Sequence, residues 1–455
     1  MSLFTINKIK LVLTSVLLFI THSAYPTEEK HNTKPDDVYP VMAIEANQTG
    51  SHGYGALLDL FDEFLEFGDS REEQSHQIIL DPSGRPIDPV TDYSDRSIAA
   101  RQEKIDDFKA RLQGMDVQSW SKARQVDYLA VRSRVNQADY LLRLGRPWAR
   151  DPGFYVDQML WLTFTELPVA GAERENFLAK LRAVPVLVSE AQKNLIDVAA
   201  DYADLAIHNL NQADGVGHGH PYRAEPPPGV VGWYDDLLGR ADVQPELLPD
   251  IRAARDAVVE LDNWLKANRA QWTAPAGVGE AAFDWYLKHV KLMPWTSKEL
   301  VALGQVELDR LWADYALERH RNAGLPELAP ATSAEDYQQR IEATDRHIRQ
   351  FLKEKAIISI PNDVGVLGTN VPWIVRPGGR NFWEEVQFRD PSPDHLHAVI
   401  PGHRFDSVIA SRSKHPIRAK MQSAGRVEGW ATYLEEAMLQ AGLFSDQPRV
   451  RELIQ

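Results

Sequence analysis

The chain has 455 residues, of which 44% are hydrophobic and 25% are charged, a composition typical of a folded protein. This length allows two or three modest domains or one large helical body. The formal net charge of −15 argues against nucleic acid or an anionic membrane as a partner, because both would repel the chain. The absence of cysteine excludes disulfides, thiolate metal ligands, a cysteine nucleophile and a lipid anchor on cysteine.

The N-terminus has the three-part layout of a secretory signal. Lys8 and Lys10 precede the apolar run LVLTSVLLFI, and a short polar stretch follows, with a cleavage site near Ala24. The apolar run is too short to span a bilayer comfortably. We therefore predict a signal peptide over residues 1–24 and a periplasmic or secreted protein without stable membrane insertion. A signal anchor or a wrongly assigned start is the alternative.

Two stretches show clear helical patterns. Between Asp95 and Arg143, apolar residues recur on one helix face, and Gly114 offers a stop signal inside the stretch. A second helix is predicted to begin after Thr296, where TSKE has the form of a capping box, and to end near Asn322. The first face consists of Ile98, Ile105, Phe108 and Leu112.

Two other stretches interrupt the helical pattern. Residues 215–233 are rich in glycine and proline and are predicted to form a loop, in which His218 and His220 are more typical of a loop than of a metal site. Residues 356–379 alternate β-branched residues with proline and glycine, which predicts two or three short strands. The expected fold is therefore mainly α, with a small β-sheet beside the candidate site.

The stretch DHLHAVIPGHRFD, residues 394–406, places three histidines within nine positions. A hydrolytic zinc site needs three protein ligands and an open position. On a regular helix His397 and His403, six residues apart, would point to different sides. Pro401 and Gly402 change that expectation, because proline interrupts a helix and a kink or bulge can bring both rings to one face.

The third ligand is expected from a later helix, and Glu428 in RVEGWATYLEEAML is the candidate. Glu435 lies seven residues on, on the same helix face, where it would orient a ligand histidine or remain a solvated carboxylate. Trp430 and Tyr433 are more typical of packing aromatics, although a tyrosine hydroxyl near zinc can bind an oxyanion.

The segments HAVIPGHRFD and EGWATYLEE resemble the bacterial domain-of-unknown-function 885 (DUF885) family, whose members are regarded as zincin-like metallopeptidases. The family pattern is His-Glu-x-x-Pro-Gly-His, followed some two dozen residues later by Glu-Gly-Trp-Ala. The resemblance extends over most of the mature chain and implies a helical zincin-like peptidase body over residues 25–455. It also implies one zinc per chain on His397, His403 and Glu428, and a peptide or small amide as substrate.

Two features depart from the family pattern. Ala398 occupies the position of the general-base glutamate, and alanine cannot accept a proton. The chain stops at Gln455, whereas family members usually continue, so the resemblance implies that a C-terminal portion is missing. Zinc-bound water can ionise near neutral pH, so some hydrolysis is possible without this glutamate. A neighbouring carboxylate such as Glu384, Glu385 or Glu435 is a candidate substitute.

Three interpretations follow from these residues. The leading one is an exported zinc peptidase in which Glu435 and Tyr433 are the candidate catalytic residues beside the metal ligands. The second is a catalytically inactive relative that binds a peptide or a metal. The third is a group of polar histidines at a Pro-Gly turn, with no metal.

Overall fold

The computed structural model of the protein describes residues 53–68, 92–212, 223–368, 371–421 and 423–455. Within these ranges the regular structure is helical, and the β-type pairing is an isolated parallel bridge between Ala199 and Ala274. The prediction of a mainly α protein is therefore confirmed. The predicted signal peptide, His218 and His220 lie outside the described residues. No helix in the described ranges combines the length and apolarity needed to cross a membrane.

In the described residues up to His289, the chain forms ten α-helices. They are α1 (Tyr54–Phe67), α2 (Asp95–Gln113), α3 (Lys122–Tyr140), α4 (Pro147–Arg150), α5 (Gly153–Leu160), α6 (Gly171–Asn194), α7 (Ala200–Asn211), α8 (Gly229–Arg240), α9 (Leu248–Asn268) and α10 (Glu280–His289). Helices α1 to α9 supply most of one large apolar cluster, in which α6 and α9 pack against each other.

The second part carries the candidate site. Its helices are α11 (Ser297–Asn322), α12 (Ala334–Glu354), α13 (Phe382–Arg389), α14 (Ser392–Asp394), α15 (His403–Ser411), α16 (Ala424–Gln440) and α17 (Pro448–Ile454). A second apolar cluster joins α12, α15, α16 and α17 to the histidine stretch between α14 and α15. The candidate site therefore lies on a core of its own.

Both predicted helical stretches are confirmed. The first divides at Gly114, which caps α2, and Ile105, Phe108 and Leu112 are buried as expected of one core-facing side. In α11 the hydroxyl of Thr296 accepts a hydrogen bond from the backbone N–H of Glu299, whose carboxylate bonds back to Thr296. This capping box satisfies backbone groups that the first turn would otherwise leave unpaired.

Two predictions about irregular segments are wrong. The expected loop to Trp233 ends earlier, because α8 begins at Gly229 and buries Val230, Trp233 and Tyr234. The predicted strands are absent from residues 356–368 and 371–379, which form turns and irregular chain. Prolines within the segment cannot donate the hydrogen bonds of a β-ladder. Apolar side chains of the segment instead pack against the core. Ile358, Ile360 and Val364 belong to or contact the second cluster. Val371 and Trp373 contact a small cluster between α12 and α13.

Candidate metal centre

The two candidate histidines lie on either side of a helix break. After α14 the chain forms one π-helical turn, His395–Val399, and Ile400 then adopts an extended conformation (φ −141°, ψ 127°). Helix α15 restarts at His403. The sequence predicted a kink or bulge at Pro401, and the structure instead has a π turn followed by a complete break. Because of the break, the direction of the His403 side chain is set by α15 and not by the π turn that carries His397.

As a result, the rings of His397 and His403 lie next to each other in an edge-to-face arrangement. Their centroids are 4.6 Å apart and their planes meet at 84°. The two side chains are half-buried. A regular helix through both positions would separate them.

Gly402 permits this return of the chain. A Cβ atom on residue 402 would lie 1.8 Å from the carbonyl oxygen of His397 and 2.5 Å from that of Leu396. Both contacts are with backbone atoms, which cannot rotate away as a side chain would. The Pro-Gly turn therefore requires glycine because the backbone of the π turn occupies the space.

Helix α16 brings the carboxylates to the two rings. Its Trp430 donates an indole N–H hydrogen bond of 3.2 Å to the carbonyl oxygen of Pro401, which fixes α16 against the turn. Glu428 and Glu435 are seven residues apart and share one face of the helix. This face lies towards His397 and His403.

The Oε2 atom of Glu428 lies 3.4 Å from Nε2 of His397 and 3.5 Å from Nε2 of His403. One potential ligand atom from each of these three residues lies within 4.8 Å of the other two. Hydrogen bonds between N–H and oxygen are usually about 2.7–3.2 Å long. Two zinc ligands at tetrahedral angles are about 3.4 Å apart, given bond lengths of about 2.0–2.2 Å. The donor set and its spacing therefore fit zinc.

Glu435 contacts the other side of the His397 ring. Nδ1 of His397 donates a hydrogen bond of 2.9 Å to Oε1 of Glu435. This hydrogen bond raises the pKa of His397 above its ordinary value; the negative charges of Glu435 and Glu428 act in the same direction, and partial burial opposes them. When the ring carries a single proton, on Nδ1, its Nε2 lone pair lies towards Glu428 and His403.

His403 has no equivalent contact among the described residues. Its Nδ1 is buried and has no hydrogen-bond partner there. Glu428 is the most open member of the trio, with 61% of its side chain exposed, so the group is accessible from solvent on that side.

His395 belongs to a different environment, although it comes from the same short motif. It is 1% exposed, and its Nε2 lies 2.9 Å from Oδ1 of Asp345 on α12. Asp345 also accepts a hydrogen bond from Arg349. Burial would raise the pKa of Asp345, but the hydrogen bond from His395 and the charge of Arg349 outweigh it and lower the pKa. This network connects α12 to the π turn.

The remaining candidate residues lie in different positions. Ala398 is 3% exposed and belongs to the second apolar cluster. Tyr433 is 63% exposed, and its ring lies 6.2 Å from that of Trp430. Glu384 caps α13 and pairs with Arg376 at 2.6 Å, so its carboxylate is committed to a structural role. Three carboxylates were considered as a replacement base. Among the described contacts, Glu435 is the one of the three that contacts a predicted ligand, His397.

Two residues near the ligands were not selected from the sequence. Arg426 donates two hydrogen bonds of 2.6 Å to the two carboxylate oxygens of Asp406. Asp406 follows His403 by three residues and Arg426 precedes Glu428 by two. The sequence signal was an acidic residue and a basic residue, each within about one helical turn of a candidate ligand. Their pairing across 20 residues cannot be read from the sequence alone.

Comparisons with known proteins identify the family of this chain. Residues 83–359 match the model of a family described as bacterial protein of unknown function (DUF885), a match that ends before the histidine motif. A search of curated proteins found no match. The chain is similar in fold to a structure described as that of "a putative lipoprotein of unknown function from Shewanella oneidensis", with a TM-score of 0.61 and 16% identity over 89% of this chain and 80% of that one. Because the family model matches more than half of the sequence, the chain belongs to the DUF885 family.

Proposed function

We propose that the protein is an exported, zincin-like zinc hydrolase that acts on peptides or small amides. One zinc per chain would be held by His397, His403 and Glu428. The observation that carries this proposal is the spacing of 3.4 and 3.5 Å between the Glu428 carboxylate and the two Nε2 atoms. These distances exceed those of ordinary hydrogen bonds and match those between ligands of one tetrahedral ion.

A zinc ion in this position would supply Lewis acidity towards a substrate carbonyl and promote the ionisation of water. Glu435 would hold the proton of His397 on Nδ1 and so keep Nε2 available as a ligand. The exposed side of Glu428 is the direction from which a substrate can reach the site. Tyr433 remains a candidate oxyanion partner.

A second candidate function is favoured by Ala398. This residue cannot accept a proton, and it is buried among apolar side chains. General-base catalysis is commonly worth about 10²–10⁴-fold in rate. A relative that lacks this group would bind zinc or a peptide and turn over slowly or not at all. Where both candidates hold zinc at this site, peptide turnover distinguishes them.

Export is part of the proposal. It is supported by the Lys8, Lys10 and apolar-run pattern before Ala24. Mass spectrometry of the protein recovered from periplasmic extract should give a mature N-terminus close to Tyr25. Recovery of the unprocessed chain from the cytosol alone would contradict export.

The experiment measures zinc content and peptide turnover on the same preparation. Wild-type protein should hold about one zinc per chain, and His403→Ala should abolish binding. The matched control His218→Ala removes a histidine from the glycine-rich stretch and should leave zinc unchanged. Hydrolysis of a mixed peptide library that depends on added zinc supports the enzyme. Zinc binding without turnover supports the second candidate, and zinc lost only in His218→Ala contradicts the assignment of zinc to His397, His403 and Glu428.

A further inference from the structure

The helical turn that carries Glu428 has little internal support. Ser423, the N-cap of α16, makes no side-chain hydrogen bond to the helix. Gly425 and Gly429 lie on either side of Glu428, and glycine weakens a helix because it loses the most conformational freedom on folding. Residues 423–426 are exposed. Helix ends of this kind fray, so a ligand placed there needs an external restraint.

The Asp406–Arg426 pair supplies such a restraint. Both guanidinium–carboxylate hydrogen bonds are 2.6 Å long, in the two-pronged arrangement that fixes direction as well as distance. Asp406 belongs to the first turns of α15, where His403 also lies, and its side chain is only 16% exposed. The pair therefore joins the turn of one candidate ligand to the turn of another.

Glu428 is consequently held on both sides. Arg426 attaches α16 to α15 about half a turn before Glu428, and Trp430 attaches it to Pro401 about half a turn after. The described residues between α15 and α16, 412–421 and 423, are mostly irregular, with a 3₁₀ turn at Arg418–Lys420. These two side-chain contacts therefore restrain the approach of Glu428 to His403 from both sides of Glu428 in the chain.

We propose that Asp406 and Arg426 are positioning residues of the metal centre, which hold the Glu428 carboxylate at the two histidines. This inference rests on the proposed zinc site. The Arg426 side chain is 58% exposed, and ion pairs at the protein surface contribute little to overall stability. Loss of this one should therefore weaken metal binding while the protein remains folded, which separates a positioning role from a purely structural one.

The test compares zinc dissociation constants for wild type, Arg426→Gln, Asp406→Asn and the double variant, by competition with a chelating dye. Each single change should weaken zinc binding about tenfold or more, at the lower end of the effect of groups that support ligands. The double variant should lose no more than either single one, because both changes break the same contact. Arg426→Lys should lie between wild type and Arg426→Gln, since lysine keeps the charge but not the fork.

A matched control lies at the C-terminal end of α15, which Arg412 caps. Arg412 makes a similar two-pronged pair with Asp363, at 2.9 and 3.2 Å, away from the ligands. Arg412→Gln removes the same charge and should leave zinc affinity unchanged, and urea unfolding of each variant should give a midpoint close to that of wild type.

Wild-type affinity in Arg426→Gln, or a loss matched by Arg412→Gln, would overturn the positioning role. Additive losses in the double variant would overturn it as well. Failure of the wild-type chain to bind zinc at all would instead overturn the proposed function on which the inference rests.

Discussion

Among the described glycines, Gly402 is the one at which an added Cβ would come closest to another atom, so Gly402→Ala is expected to have a large local effect. The added Cβ would lie 1.8 Å from the carbonyl oxygen of His397 and 2.4 Å from its carbonyl carbon. Carbon and oxygen atoms in close contact are normally about 3.3–3.6 Å apart, so the overlap is roughly 1.5 Å. Relief requires the π turn or α15 to move by a comparable distance. Functional sites tolerate displacements of only about 0.5 Å.

We therefore expect Gly402→Ala to lose stoichiometric zinc and to be destabilised by about 1–3 kcal/mol or more, as for other overpacked sites. Zinc content after gel filtration and urea unfolding would measure both effects. Gly429→Ala is the control, because a Cβ there meets nothing within 4 Å. It adds a methyl group beside Glu428 and, inside α16, should stabilise by about 0.5–1 kcal/mol with zinc unchanged. Wild-type zinc content and stability in Gly402→Ala would refute this reasoning.

Three further predictions concern neighbouring residues. Zinc and a proton compete for His397, so binding weakens as the pH falls through its pKa; Glu435→Gln removes the charge that raises this pKa. Zinc titrations across pH should then show affinity about 10–100-fold lower at neutral pH and an acid-side loss that begins at lower pH than in wild type. Ala398→Glu should raise peptidase kcat/KM by up to about 10²–10⁴-fold at equal zinc occupancy. Some stability should be lost because the position is buried. In Ala398→Gln the new side chain has the shape of glutamate but cannot act as a base, so an equal rise there would rule out proton transfer as the reason. His395→Leu should lower the free energy of unfolding by about 1–3 kcal/mol, because Asp345 loses a buried partner. Equilibrium unfolding measures this change, and metal analysis should show unchanged zinc per folded chain. A loss of zinc would instead identify His395 as a ligand.

The sequence was sufficient to select the residues that meet at the candidate site. Residue chemistry and helical spacing pointed to His397, His403 and Glu428, and the seven-residue interval placed Glu435 on the face of Glu428. These are local properties, because each depends on a residue type and a position along one helix. The structure brings all four side chains together.

The route of the chain between the histidines was not predictable in the same way. A proline announces an interruption, but whether the chain bulges or breaks depends on what packs around it. Here Leu396, Val399 and Ile400 are fully buried in the second cluster, and that burial fixes the π turn and the break. Likewise, only the presence of Asp345, 50 residues away, separates His395 from its two neighbours in the motif.

The predicted strands failed for a related reason. Alternation of β-branched residues reports that one side of a segment is buried, but it does not report a hydrogen-bonding partner. Ile358 and Ile360 pack against the core as the pattern indicates, yet no neighbouring strand pairs with the described residues of this segment. The alternation was therefore not sufficient to predict backbone pairing.

The most direct test of the central claim is an anomalous difference map, recorded at the zinc absorption edge, from a crystal of the purified zinc-loaded protein. We expect one strong peak per chain, about 2.0–2.2 Å from Nε2 of His397, Nε2 of His403 and a carboxylate oxygen of Glu428. A peak elsewhere on the chain, or no peak between these three side chains, would contradict the assignment of this site as a metal centre.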